Sequence, residues 1–435
     1  MIGDYILNPD AMWAGEVPAN WPFFKGKYIF GERFEKGNDK NLELLSPTQK
    51  YGVIPQRMYD ELSGMRAVKV KEDTDLSTFK TVRKGDFCIS LRSFQGGFEY
   101  SKYEGVVSPA YHILFPKKKI YDGYYKYLFK EQSFIAEMNS YCQSLRDGKN
   151  ISYEDFGKTL IPYPPLSEQQ AIADYLDARC SKIDEIIAEA TASIEEYKEL
   201  KQAVIFEAVT KGLDKNVPMK DSGVEWIGKI PTSWRSIRVK YLLSHLIDCP
   251  HETPNYVENG EFCVIRTADQ DLGFLRSDEN MYRLEKGEYL NRIRRLSLDK
   301  DDIVYGREGE RWGLACLVPK SNKYCLGQRM LHFRCKTDMV IPRFMMWSLN
   351  SVGVRMQGVI DTLGSTSPHV NISTVRNFII PLPDMEAQQI IADYLDEKMS
   401  HIDSLISEKQ SLISDLQAYK KSLIYEVVTG KRRVV

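Results

Sequence analysis

Pro165-Leu166-Ser167-Glu168-Gln169-Gln170-Ala171-Ile172-Ala173-Asp174-Tyr175-Leu176-Asp177 opens the stretch that decides the fold. It returns as Asp384-Met385-Glu386-Ala387-Gln388-Gln389-Ile390-Ile391-Ala392-Asp393-Tyr394-Leu395-Asp396. Ile161 through Thr210 aligns with Ile380 through Thr429 without a gap, and roughly 22 of about 50 positions are identical, far above chance for unrelated helices. Ser167 with Gln170 forms a capping box after Pro164-Pro165, so a helix is expected to start there and to run without Pro or Gly to Lys211. At about 45 residues it would reach roughly 65 Å, more than one small globule can cover.

Along this helix Leu176, Cys180, Ile183, Ile187, Ala190, Ile194, Tyr197, Val204 and Ala208 fall on alternating steps of three and four, with Lys201 in the one gap. The second copy repeats the seam at Leu395, Met399, Ile402, Ile406, Ile413, Leu416, Leu423 and Val427, with Lys420 at the matching place. A period near 3.5 marks a coiled-coil seam, and two matched copies in one chain are natural partners. Because a globule intervenes between them, an antiparallel closure is the simplest. Lys201 and Lys420 either set the register or snorkel to water. Tyr175, Ile186, Leu200 and Ile205, with Tyr394, Leu405, Tyr419 and Ile424, are read as outward, more apolar surface than two helices bury on each other. They imply two near-identical docking faces for a partner, with Tyr175, Ile186, Ile205, Tyr394, Leu405, Tyr419 and Ile424 as candidates.

A weaker repeat precedes each helix: Trp13-Ala14-Gly15-Glu16-Val17-Pro18-Ala19-Asn20-Trp21 against Trp226-Ile227-Gly228-Lys229-Ile230-Pro231-Thr232-Ser233-Trp234. The order is globule (1–165), helix (166–212), globule (213–384), helix (385–435). The expected fold is α+β: two α/β domains separated by two long helices in an antiparallel coiled coil, with a pseudo-two-fold internal repeat. Between the Trp/Pro lead-in and the helix the two halves hardly repeat, as suits one frame holding two different readers.

With 435 residues, 43% of them apolar, the chain can fill two ordinary cores. No run approaches eighteen apolar residues and the start lacks a secretory pattern, so a cytoplasmic protein without a membrane partner is expected. Eight scattered cysteines form no Cys-x-x-Cys pair, which signals neither a disulfide framework nor a metal site. The formal net charge of -1 hides a partition: the helices are acidic and each globule is mildly basic, which permits DNA binding by the globules.

Each globule reads as short β-type runs joined by loops rich in Arg, Gly, Ser and aromatics. Lys84-Gly85-Asp86-Phe87 leads into Leu91-Arg92-Ser93-Phe94-Gln95-Gly96-Gly97-Phe98, and Lys300-Asp301-Asp302-Ile303 leads into Gly306-Arg307-Glu308-Gly309-Glu310-Arg311-Trp312-Gly313. A second pair of loops spans Ser144–Ile151 and Thr362–Ile372. Arg and Gln make bidentate contacts to guanine and adenine edges, glycines let backbone enter a groove, and Ser, Thr and Lys suit phosphate. The candidate DNA-contacting residues are Arg92, Ser93, Gln95, Gly96, Lys117, Lys118, Arg146 and Lys149 in the first globule. In the second they are Arg307, Arg311, Trp312, Gln328, Arg329, Ser365, Thr366 and His369. His251, in Asp248-Cys249-Pro250-His251-Glu252-Thr253-Pro254, is read as ordering its loop beside a Pro-fixed turn, with a ligand or base as the alternative. No Walker loop, Gly-x-Gly-x-x-Gly, His-Glu-x-x-His, Gly-x-Ser-x-Gly or amino-methyltransferase motif occurs, so neither catalysis nor a cofactor is expected of this chain.

The repeated Pro-Leu-x-Glu-Gln-Gln-x-Ile-Ala-x-Tyr-Leu-Asp element resembles that of the specificity subunit of a type I restriction-modification enzyme. So do the linker Val217 to Gly228, the Asp248 to Pro254 turn and the ending Glu426-Val427-Val428-Thr429-Gly430-Lys431. The pattern is degraded at Asp384-Met385-Glu386-Ala387, so the second helix lacks the same start signal. The resemblance implies that each variable domain is a target-recognition domain reading one half of a split site on double-stranded DNA. It also implies that the helices, conserved in that family, set the gap and bind two methyltransferase subunits. Restriction and translocase subunits then join, with S-adenosylmethionine and ATP bound elsewhere. A two-domain protein-binding scaffold with a coiled-coil spacer, and a self-sufficient endonuclease, are the rival readings.

Overall fold

The computed structural model describes residues 5–37, 42–64, 76–89, 97–141, 151–363 and 368–434. They fall into two compact units, Met1–Ala190 with Ser411–Val435, and Thr191–Gln410.

The first unit is built on a four-stranded antiparallel sheet of β1 (Phe30–Glu32), β2 (Phe87–Ile89), β3 (Phe98–Tyr100) and β4 (His112–Pro116), in the order β1-β4-β2-β3. Alternate residues supply two cores, as a strand covered on both faces requires. Phe87, Ile89 and Leu114 enter the large aromatic core with Phe30, Phe98, Phe129 and Phe134, while Cys88 and Ile113 face a smaller one with Val53 and Val82. After the globule comes α1 (Leu166–Lys211), whose first half belongs to this unit.

The second unit repeats the plan with β5 (Leu243–Asp248), β6 (Ile303–Gly306), β7 (Ala315–Leu317) and β8 (Met330–Cys335) in the order β5-β8-β6-β7. Ile303, Tyr305, Leu331 and Phe333 face the large core, and Val304 and Met330 the smaller one. The sheet order is therefore the same in both units, although the sequences between lead-in and helix hardly match. The chain closes with α2 (Met385–Val428). Its start is capped by Asp384, whose Oδ1 accepts the Ala387 N–H at 2.8 Å, whereas α1 already begins at Leu166, so Ser167 lies inside the helix and does not form the expected capping box.

Each unit holds one half of each long helix, and in each the pairing is antiparallel. In the first, Ile172, Leu176, Cys180 and Ile183 of α1 share a core with Leu423, Val427 and Val428 of α2. In the second, Ile205, Ala208 and Val209 of α1 meet Ile391, Leu395, Met399 and Ile402 of α2. The 3.5-period seam is the buried face. Its two lysines make matching ion pairs: Lys201 Nζ to Asp403 Oδ1 at 2.6 Å, and Lys420 Nζ to Asp184 Oδ1 at 2.6 Å.

The repeated motif residues fasten each globule to its helix. Gln169 accepts the Tyr121 N–H at 2.9 Å and donates to Pro164 O; Gln388 accepts the Ile341 N–H at 2.8 Å and donates to Pro383 O. Asp177 is held by Lys126 and Tyr127, Asp396 by Arg343 and Trp347. At the helix ends Gly430 (φ 74°) and Gly212 (φ 77°) adopt the left-handed turn that favours glycine, against Trp21 and Trp234 respectively. The seven described cysteines are free and buried. Among the described residues no helix is long and apolar enough to cross a membrane.

Candidate nucleic-acid interface

Strand register decides which loops meet. In the second unit Asp248 pairs with Leu331 and Gly306 with Met330. The Asp248–Pro254 turn, the Gly306–Gly313 loop and Gln328-Arg329 therefore emerge at one end of the sheet. The Pro368–Val370 segment is stitched to the same place, with Gly309 N–H donating to Pro368 O at 2.8 Å and Val370 N–H to Arg307 O at 3.0 Å. Four sequence-distant segments thus form one loop cluster.

Charges of both signs meet inside it. Arg307 lies with Nη2 3.1 Å from Glu308 Oε1, Nε 3.4 Å from Asp248 Oδ1 and Nη1 3.1 Å from His369 Nε2. His369 Nδ1 is 3.1 Å from Glu308 Oε1, and Arg329 Nε is 3.7 Å from Glu308 Oε2. Gln328 Nε2 donates to His251 O at 3.0 Å and Thr253 Oγ1 at 3.2 Å, while the His251 ring pairs with Asp248 at 3.0 Å. His251 orders its loop in this way. Behind the turn, Arg292 is buried and donates to Leu326 O, Glu252 O and Pro250 O, so it is a brace, whereas Arg294 and Arg295 are exposed beside a cleft of about 280 Å³.

Deeper in the sheet, Asp302 takes Arg334 at 2.9 and 2.7 Å and His332 at 2.8 Å. Burial alone would raise its carboxyl, but these bonds and the Asp299 N–H outweigh burial and hold it at about 2. In the first unit Asp86 takes Arg33 at 2.9 and 3.0 Å and the Arg83 N–H at 2.8 Å, the same strand-start device.

Several expected site residues are displaced from their assumed roles. Arg307 is 4% exposed and Trp312 5%, so both face inward: Arg307 is held by two acids, and Trp312 is buried with Arg355 stacked on it. Arg311 is half-buried, its Nη2 bonded to Asp271 at 2.8 Å and to Gln270 O. Gln328, Arg329 and His369 keep exposed or half-exposed surface in the cluster. Lys117 and Lys118 follow β4 at the end opposite Ile89; Lys117 Nζ donates to Lys27 O at 3.2 Å and Lys118 Nζ sits 4.2 Å over Phe24. Arg92, Ser93, Gln95, Gly96, Arg146, Lys149, Ser365 and Thr366 lie outside the described residues.

On the helices Ile186 and Tyr419 are exposed, and Tyr175, Tyr394, Leu405 and Ile424 are half-buried. Ile205 is fully buried in the second unit's core, which corrects its reading as an outward residue: the globule covers that side of α1. Sequence reasoning passed over Glu308 and Asp248 as site residues. The signal was present in Arg307-Glu308, since a carboxylate beside an arginine in a loop is an intramolecular pair in waiting. The cluster offers amide, guanidinium and imidazole donors, with the carboxylate of Glu308 half-buried among them and those of Glu252 and Glu310 exposed in the same segments. Among the described residues no group of His, Cys, Asp or Glu is placed to hold a metal ion.

The family model described as the type I restriction modification DNA specificity domain matches residues 23–196 and again 251–413. The chain is similar to the type I restriction enzyme MjaVIII specificity subunit of Methanocaldococcus jannaschii, at 25% identity over 429 residues, covering 96% of this chain and 94% of that protein. It is also similar to the EcoBI specificity subunit of Escherichia coli, at 22% identity over 283 residues, 62% and 58% of the two chains. Among solved structures it resembles a chain from work on complex assembly and conformational transition of the type I R-M system, with TM-score 0.69, 14% identity and 96% and 99% coverage. The HsdS subunit of Thermoanaerobacter tengcongensis gives TM-score 0.53, 16% identity and 96% and 98% coverage. At these identities the structures speak for the fold alone.

Proposed function

The chain belongs to the type I restriction-modification DNA specificity family, and from that premise we propose that it reads a split, asymmetric site on double-stranded DNA, one unit per half-site. The observation that carries this is the contrast inside the chain. Both units share one sheet order and one helix anchorage, yet the loops after β2 and β6 are built from unlike residues. Equal frames with unlike loops suit two different half-sites.

Gln328, Arg329 and His369 with Ser365 and Thr366 contact one half-site, and Arg92, Ser93, Gln95 and Gly96 with Arg146 and Lys149 the other. Lys117 and Lys118 reach flanking phosphate. The paired helices dock two methyltransferase subunits through Tyr175, Ile186, Tyr394, Leu405, Tyr419 and Ile424, and restriction and translocase subunits join through that complex in the cytoplasm. The chain itself selects sequence and performs no chemistry, so it holds no cofactor.

The test is co-expression with an adenine methyltransferase subunit, followed by mapping of methylated adenines. A split asymmetric motif is expected, and Arg92→Ala or Gln95→Ala should relax one half while Arg329→Ala or Gln328→Ala relaxes the other. A stable complex that methylates no motif, or DNA binding that ignores salt, would return the chain to the scaffold reading.

A further inference from the structure

Two acids of the second unit, Asp302 and Glu308, are held in different ways. Asp302 is a saturated brace, its oxygens taken by Arg334, His332 and the Asp299 N–H at 2.7–2.9 Å. Asp86 is its equal in the first unit. Glu308 is different. Arg307 and His369 approach one oxygen at 3.1 Å and Arg329 the other at 3.7 Å, yet among the described residues none of these ion pairs has hydrogen-bond geometry. The side chain keeps 22% of its surface in water. Beneath it Arg307 Nε and Asp248 Oδ1, 3.4 Å apart, are buried without hydrogen-bond partners. The four charges of Arg307, Arg329, Asp248 and Glu308 balance, yet the pairs among them lack hydrogen-bond geometry, which is unusual for a group whose only role is to hold two loops together.

A carboxylate with open acceptor capacity at the loop end of the sheet repels phosphate and seeks a donor. In the major groove the donors are the exocyclic amino groups of cytosine and adenine. Adenine places its N7 acceptor beside the amino group, against the carboxylate, whereas cytosine presents N4 without a competing acceptor. Resting on the recognition reading above, we propose that Glu308 is a specificity-determining acceptor of the second unit, taking the N4 amino group of a cytosine. Arg307 and His369 position it. Arg329, exposed beside it, supplies donors for the paired guanine.

The experiment compares the wild-type chain with Glu308→Ala and Glu308→Gln, each co-expressed with the adenine methyltransferase subunit, by mapping methylated motifs genome-wide. Wild type is expected to show a fixed C·G pair at a position of one half-site that becomes degenerate in Glu308→Ala, with preference there falling about tenfold or more. Glu308→Gln keeps an acceptor toward Arg307 and His369, so its loops should hold, and its added donor should admit adenine at that same position. If the alanine variant does not yield a folded complex, the glutamine variant decides. The same motif in every folded variant, or a uniform loss at all positions of both half-sites, overturns the proposal and leaves Glu308 a brace. A wild-type complex with no split motif overturns the function reading instead.

Discussion

Asp403→Ala should destabilise the second unit by more than the equivalent Asp184→Ala destabilises the first, although the two ion pairs occupy matching places in the repeat. In both, the lysine of one helix reaches the aspartate of the other at 2.6 Å. Their surroundings differ: the Lys201 side chain is 8% exposed and Asp403 35%, against 27% for Lys420 and 58% for Asp184. Removing Asp403 strands an ammonium in an apolar seam. A fully buried broken pair costs about 3–5 kcal/mol, and partial exposure of Asp403 with some snorkelling by Lys201 brings this to about 2 kcal/mol. Removing Asp184 exposes Lys420 to water and costs about 1 kcal/mol or less.

The assay is thermal unfolding of the full chain followed by circular dichroism, with Lys201→Met completing a double-mutant cycle. For a unit of roughly 200 residues, 2 kcal/mol corresponds to about 4–8 °C in Tm. Lys201→Met alone should be neutral or stabilising, because methionine fills the seam without an unpaired charge, and it should abolish the Asp403→Ala loss. Equal small losses for the two aspartates, or an Asp403→Ala defect that Lys201→Met leaves intact, would refute the assignment of Lys201 as a buried register pin.

Three further outcomes follow from named contacts. Asp302 is held near 2 in the folded chain against an ordinary 3.8, so its contribution of about 2 kcal/mol is present above pH 4 and is lost as pH falls through 2; denaturant midpoints of wild type should fall between pH 5 and 2.5, and those of Asp302→Asn should fall less. Gly430→Ala places a Cβ 2.5 Å from Pro18 in a left-handed turn and should cost about 2–3 kcal/mol in unfolding measurements, whereas Gly212→Ala, with 3.2 Å to Trp234, should cost about 1 kcal/mol. Gln388→Leu orphans the Ile341 N–H with Met339 O and Pro383 O and should cost about 2–4 kcal/mol by the same measurement.

The helices were legible because their information is local: the Pro164-Pro165 stop, a 3.5-residue period and an absence of Pro and Gly. Ile205 was misread for the complementary reason, since a helix position outside the seam is exposed or buried according to what the globule lays against it. The common sheet was hidden because a strand needs only alternating apolar residues, and Phe87-Cys88-Ile89 meets that need as well as Ile303-Val304-Tyr305 without sharing a residue. Lys117 and Lys118 were read as DNA contacts from charge alone, and only antiparallel register shows that they follow β4 at the end opposite Ile89. Arg307 looked like a reader because an arginine among glycines is usually solvated; Asp248, some sixty positions earlier, could not be seen to reach it.

The division between frame and loops has a physical basis in what each anchor grips. Among the described residues Gln169 and Gln388 bond only to main-chain groups, the N–H groups of Tyr121 and Ile341 and the carbonyls of residues 164, 339 and 383. Gly212 answers to backbone angle and to Trp234, and Gly430 to backbone angle and to Pro18 and Trp21. None of these contacts depends on the side chains of Arg307 to Glu310, so that part of the loop can change its chemistry without loosening the helix, whereas Trp312 is buried in the core the helices share. The reverse does not hold. Arg307, Glu308, Asp248 and His369 depend on one another across three segments, so exchanging one alone leaves a charge without its counterion. A single change at Glu308 should therefore only relax the preference at its position, whereas exchange for a different base read as strictly should need coordinated substitutions in the turn at Asp248, the loop at Arg307 and the segment at His369, while the anchors stay as they are.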